Sequence, residues 1–147
     1  MENQFKQRDT AGIVILYNDQ ILLVHPKNGS WVKPVMGIPK GRIDDGEEHM
    51  AAAIRETFEE TGIYIKPEQL GVSPSTIEVH DKNGKYKNTI YYYVCRINEL
   101  SEIGLTSTVV PKSQLQEDEI DWAGFINVKS AYGKIANAQK ILLDRLS

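Results

Sequence analysis

The chain has a single cysteine, Cys95, so no disulfide can close within it. Cys95 falls in an apolar strand pattern and reads as a buried structural thiol rather than a nucleophile. No apolar run approaches the roughly 20 residues that a bilayer span needs. The polar start, MENQFKQRD, lacks the apolar stretch of a signal peptide. The expected setting is therefore a reducing cytoplasm with no membrane partner. An excess of positive charge is missing too. Lys and Arg number 17 against 20 Asp and Glu, a net charge of −3, so no global basic field draws in nucleic acid. A pocket for a small nucleotide needs only local charge. Repeats and low-complexity tracts are absent, and 147 residues read as one domain, 1–147, long enough for a real core.

What the chain does have is concentrated in residues 37–63, GIPKGRIDDGEEHMAAAIRETFEETGI: a loop punctuated by Gly and Pro, an alanine-rich helical stretch and a glycine stop. Asp45 suits an N-cap, and Glu48 sits three residues later, where a capping box wants its acid. The helix is expected over residues 46–61, with Gly62 as its left-handed C′ residue. Side chains placed around the axis put Met50, Ala51, Ile54, Phe58 and the methyls of Thr57 and Thr61 on one side, the face expected to pack. Glu56, Glu59 and Glu60 gather on the other, and Arg55 lies between, one turn before Glu59 and two turns after Glu47. A solvated acidic face is the ordinary reading of such a cluster. Against it, like charges at these spacings repel, and the C-terminal half of a helix disfavours anions. A cation would relieve both costs, and clustered carboxylate oxygens suit a hard one such as Mg²⁺.

Gly41, Glu47 and the run Arg55-Glu56-Thr57-Phe58-Glu59-Glu60-Thr61-Gly62-Ile63 resemble the Nudix box, G-x5-E-x7-R-E-U-x-E-E-x-G-U, with every fixed glycine, glutamate and arginine present. Thr57 stands where the pattern prefers a bulky aliphatic residue. The resemblance implies an α/β fold, an α/β/α sandwich with a mixed β-sheet. It also implies Mg²⁺-dependent hydrolysis, with Mn²⁺ as a substitute, of a phosphoanhydride in a nucleoside diphosphate linked to another group. By the same resemblance Glu56, Glu59 and Glu60, with the backbone carbonyl of Lys40, hold metal, and Arg55 orients the carboxylates. The general base is Glu56, or a late loop acid, Glu119. Pro39-Lys40-Gly41 is similar to the variant found in members acting on dinucleoside polyphosphates, which makes a diadenosine tetraphosphate-like substrate the leading expectation, with the Lys40 side chain on phosphate. The other readings are a nucleotide-sugar, ADP-ribose or (d)NTP pyrophosphatase, an RNA 5′-end pyrophosphohydrolase, and a module that binds nucleotide without catalysis. Dinucleoside polyphosphate members tend to carry a downstream tyrosine and ADP-ribose members a proline; Val79-His80 stands there, and neither marker is present.

The flanks read as follows. Residues 11–17 and 21–25 are strands around an Asn18-Asp19 turn, the first opening on Ala-Gly as in the family. Residues 26–41 are loop, in which Trp31 either stacks on a base or packs over the loop, and His25 ends a strand. Residues 63–71 are a short strand and turn. Residues 75–80 and 88–97 are strands joined at Asn83-Gly84, a hairpin signal. Tyr91 and Tyr93 share one face of the second strand and Tyr92 the other; Tyr91 is the expected pocket residue. Glu117 and Glu119 close a loop before a last strand at 121–128. Ile135, Ala138, Ile141 and Leu142 recur at helical spacing in a C-terminal helix over 130–147.

Overall fold

A computed structural model describes residues 6–7, 9–80, 83 and 86–146. The polar start and, apart from Asn83, the turn expected at Asn83-Gly84 lie outside the described residues. Among the described residues seven strands form one mixed sheet: β1 (Lys6–Gln7), β2 (Thr10–Tyr17), β3 (Gln20–Pro26), β4 (Lys40–Arg42), β5 (Ser75–His80), β6 (Tyr86–Ile97) and β7 (Ile120–Asn127). The path runs β1-β6-β2-β3-β7, with β5 on β6 and β4 on β2. β2 and β6 run parallel, while β2–β3, β2–β4, β3–β7 and β5–β6 are antiparallel.

Alternation along β2 and β3 builds two cores, one on each face of the sheet. Ala11, Ile13, Ile15, Leu22 and Val24 pack with Tyr93 and Cys95 beneath α1 (His49–Thr61). Val14, Leu16, Ile21, Leu23 and Tyr92 pack beneath the C-terminal segment, α2 (Val128–Ala131) and α3 (Lys140–Arg145). Helices on both faces of a mixed sheet make the α/β/α sandwich. Each fully buried Ile or Leu contributes about 1.5–3 kcal/mol by leaving water, and burial on both faces explains why β2 reads as an unbroken apolar run.

β2 is shared between two partners on one edge. Its C-terminal end pairs with β3 at Leu16 and Tyr17, and its N-terminal end pairs with β4 at Thr10, Ala11 and Gly12. The segment before β4 therefore threads between β2 and β3: Gly37 exchanges both backbone bonds with Val24, and the Pro39 carbonyl accepts from Ile13 N at 3.2 Å. This segment delivers Lys40 and Gly41 to α1.

Several expectations are corrected. α1 begins at His49, not at residue 46, because Gly46 adopts φ +77°, outside the helical region. Glu48 is the N-cap with no side-chain cap, and no capping box forms on Asp45, since the acid that turns back is Glu47, which accepts from Asp44 N. Gly62 is left-handed at φ 71°, closing α1 as expected. Residues 63–66 form no strand; Ile63 and Ile65 are buried and a 3-10 turn, Pro67–Gln69, follows. The expected C-terminal helix is broken into α2, a turn through Gly133, a 3-10 turn over Asn137–Gln139, and α3. Its buried positions are Ala131, Ile135, Gln139, Leu142 and Leu143, while Ala138 and Ile141 face solvent.

Candidate active site

Arg55 organises the acidic face of α1. Its guanidinium grips Glu47 with two parallel bonds, Nε to Oε2 at 2.8 Å and Nη2 to Oε1 at 2.9 Å. Nη1 donates to Glu56 at 2.9 Å and to Glu59 at 2.7 Å, and Nη2 donates to the Arg42 carbonyl at 3.0 Å. A planar fork with several fixed donors can serve three carboxylates and a carbonyl at once; an ammonium cannot. The hydrogen bond from Arg55 lowers the pKa of Glu47, and the same bond, reinforced by Glu59 and Glu56, raises that of Arg55.

Glu56 and Glu60 are forced inward. Gly41 faces Glu56 so closely that a Cβ on residue 41 would lie 2.0 Å from Oε2, so only glycine leaves room for that carboxylate. Glu60 is only 9% exposed and accepts from Lys40 N at 3.2 Å. Burial raises the pKa of both acids, Glu60 to about 8, against a partial offset from the Lys40 amide; burial outweighs the Arg55 bond at Glu56. Each also feels the other's charge or that of Glu59, and both feel Glu119.

Glu119 stands exposed on a loop tied to this site. Gln116 N donates to the Glu60 carbonyl at 3.2 Å, Glu119 N to Gln116 at 2.9 Å, and Lys27 N to the Glu119 carbonyl at 2.8 Å. The structure thus gathers Lys40, Arg55, Glu56, Glu59, Glu60 and Glu119 in one region. Tyr91 is not brought there. Its ring stacks on His49 at 3.9 Å, at the first residue of α1, two to three turns from Glu56 and Glu60.

Among the described residues no three His, Cys, Asp or Glu side chains stand ready as a cage for a metal ion. Arg55 holds Glu56 and Glu59, and Lys40 N holds Glu60. The donors nevertheless fit a hard divalent cation: all are oxygens, and the acids whose charge burial penalises lie side by side.

The periodic reading of α1 placed Thr57 and Thr61 correctly, and Met50 and Ile54 do pack against the core, but it missed Ala52, Ala53 and Glu60 and wrongly turned Ala51 and Phe58 inward. Ala52, Ala53, Thr57, Glu60 and Thr61 are buried, whereas Ala51 and Phe58 are exposed and Met50 and Ile54 half-buried. Trp31 stacks on the fully buried His25 at 3.8 Å. Asp121 binds both, through His25 Nδ1 at 2.7 Å and Trp31 Nε1 at 3.2 Å. Nothing in the sequence pairs Asp121 with residues so far back in the chain. His80 is exposed on β5, 4.0 Å from Glu78.

Among solved structures, the chain is similar to a MutT NUDIX hydrolase from Burkholderia pseudomallei, with a TM-score of 0.73 at 20% identity, covering 97% of this chain and 99% of that one. A C. elegans Ap4A hydrolase in a binary complex gives 0.65 at 23% identity, covering 95% and 94%. At these identities the likeness is one of fold. The nucleoside diphosphate-linked moiety X motif 6 protein of Xenopus laevis is 32% identical over 87 residues, 57% of this chain. That match spans only 36% of the relative's length. The NUDIX domain profile matches residues 6–146, nearly the whole chain, and so the chain belongs to the NUDIX domain family.

Proposed function

We propose that this chain is a pyrophosphohydrolase that splits a phosphoanhydride in a nucleoside diphosphate linked to another group, with a dinucleoside polyphosphate as its preferred substrate. The observation that supports this best is the pair of acids, Glu56 and Glu60, pressed into the space left by Gly41 and onto the Lys40 amide. Burying the Glu60 carboxylate, with that of Glu56 half-buried next to it, is costly without a cation, and the cost is understandable if a divalent ion completes the site. Glu56, Glu59, Glu60 and the Lys40 carbonyl would hold Mg²⁺ or Mn²⁺. When bound, such an ion screens diphosphate charge and acidifies a water.

The chain's own groups do the rest. Water adds to phosphorus, the anhydride P–O bond breaks, and a carboxylate takes the water's proton. Glu56, beside the Gly41 backbone on the acidic face, is assigned this role; Glu119, exposed on the neighbouring loop, is the alternative base. Arg55 bridges Glu47, Glu56 and Glu59 and holds them in register. The Lys40 side chain, next to the acids, offers a cation to phosphate.

The setting proposed is a small-molecule enzyme of one domain in the cytoplasm. Among the described residues no helix is long and apolar enough to cross a membrane. A panel of dinucleoside polyphosphates, nucleotide sugars, ADP-ribose, (d)NTPs and 5′-triphosphorylated RNA, assayed with Mg²⁺, tests the reading. Diadenosine tetraphosphate should give the highest kcat/KM; a preference for ADP-ribose would remove the polyphosphate assignment, and no turnover of any would remove the enzymatic one.

A further inference from the structure

Gln139 is a polar side chain where the C-terminal segment is otherwise apolar toward the sheet, and it is 5% exposed. Its Oε1 accepts from Ile38 N at 2.9 Å, across 101 residues of sequence. On either side of this bond the backbone of the same two segments is stitched together: Met36 N donates to the Lys134 carbonyl at 2.6 Å and Ala136 N to the Met36 carbonyl at 2.8 Å. Gly37 lies flat against the amide, where a Cβ would sit 2.8 Å from Nε2 and 3.1 Å from Oε1.

Residues 36–40 consequently have a fixed backbone partner at almost every step. Met36 is held by the C-terminal segment, Gly37 by β3, Ile38 by Gln139, Pro39 by β2, and Lys40 by Glu60. Ile38 and Lys40 rely on side chains, and of these only Gln139 lies outside the acidic face of α1. Two residues after it comes the backbone amide that bonds Glu60, and three after it the glycine against which Glu56 rests. A buried amide N–H left without an acceptor is destabilising, so losing the Gln139 oxygen would drive Ile38 to rotate or shift in search of one. A shift at Ile38 is carried toward Lys40 and Gly41, because Pro39, between Ile38 and Lys40, has its φ fixed by its ring and cannot absorb it there.

We infer that Gln139 is a positioning residue for the acidic site: from the opposite face of the sheet it sets the register of residues 36–40, and so the distance between the Lys40 backbone and the Glu56 and Glu60 carboxylates. The inference rests on reading those carboxylates as a divalent-cation site.

Mn²⁺ alone, titrated into the full chain and followed by electron paramagnetic resonance, tests it without reference to turnover. Gln139→Met keeps the length and volume of the side chain and removes the acceptor. Groups that orient metal ligands typically matter by 10–100-fold in affinity, and for a support acting through the backbone a loss of about tenfold is expected. Gln139→Glu keeps an oxygen at the same reach, so its Mn²⁺ affinity should stay near that of the parent even though a buried charge lowers its Tm. Affinity that follows the acceptor, and not Tm, is the expected result. Unchanged affinity in Gln139→Met, or equal losses in both variants in step with Tm, overturns the inference. Should Gln139→Met fail to fold, Gly37→Ala pushes on the same amide from the other side; it must weaken Mn²⁺ binding, and an unchanged affinity overturns the inference equally. A parent chain that binds no Mn²⁺ would instead defeat the reading of the acids as a cation site.

Discussion

The two faces of α1 invert the usual rule. Toward the sheet it buries Thr57, Glu60 and Thr61 beside small alanines, and Glu56 turns in against Gly41. Toward solvent it shows Phe58, 53% exposed, which with Met50, Ile54 and the 55% exposed Tyr64 lines an apolar groove of about 600 Å³. An amphipathic helix folded for stability alone would bury Phe58 and expose Glu60. The difference teaches that the charged face is held inward against its solvation preference, by Arg55 on one side and the Lys40 amide on the other. If that inward face is the working one, changes there should trade stability against activity, whereas changes to its neutral members should affect stability only.

Glu60→Gln gives the largest contrast. It keeps the shape and the acceptor for Lys40 N but removes a charge that burial penalises, so kcat with Mg²⁺ should fall about a hundredfold while the metal-free protein becomes more thermostable near pH 8. Steady-state kinetics and a melting curve on one preparation check both halves. Unchanged turnover at saturating Mg²⁺ would remove Glu60 from the metal site.

Arg55→Lys comes next. Lysine keeps the charge but cannot span Glu47, Glu56 and Glu59 as a fork, so about a tenfold loss of kcat/KM is expected even with excess Mg²⁺. Full activity in the lysine variant would show that charge alone, without the fork geometry, is enough.

The pH dependence of stability separates the faces more gently. Glu60 holds its proton up to about pH 8 when folded but releases it near the ordinary glutamate value of 4.5 when unfolded. The native state therefore binds more protons between those values, and Glu60 makes the metal-free protein less stable as pH rises through that window. Mg²⁺ should raise Tm most at the alkaline end. The slope of Tm against pH in the parent, less that in Glu60→Gln, isolates the group; identical slopes would mean that Glu60 is ionised throughout.

Much of this was legible in the chain. The acids, Arg55, Gly41 and the Gly62 stop lie within one short stretch, where local spacing decides neighbours, and strands such as β2 and β7 announce themselves by apolar runs. What was not legible depends on distant partners. The packing face of α1 was misassigned at Phe58 and Glu60, because periodicity ranks a phenylalanine above a glutamate, and the approach of residues 40–41 reverses that order. Asp121 meets His25 and Trp31, and Gln139 meets Ile38, through contacts across the sheet that carry no local signature. The C-terminal helix was overextended because Ile135 is held as a bridge partner of Met36, which stops a helix from running through it.

The smallest effect belongs to Thr57, the one position where the box carries a hydroxyl in place of a bulky aliphatic. Thr57 is fully buried, and its Oγ1 has no hydrogen-bond partner among the described residues. Thr61, one turn on, solves the same problem by donating to the Thr57 carbonyl at 2.6 Å. Thr57→Val replaces the orphaned hydroxyl with a methyl of nearly equal size and removes a desolvation penalty of about 1 kcal/mol. For a chain of this length that corresponds to a rise in Tm of roughly 2–4 °C. Because the hydroxyl faces the core and not the acids, kcat/KM should not change. A lower Tm would show that the hydroxyl has a partner after all, and a loss of activity at unchanged Tm would place Thr57 on the working side of the helix rather than the packing side.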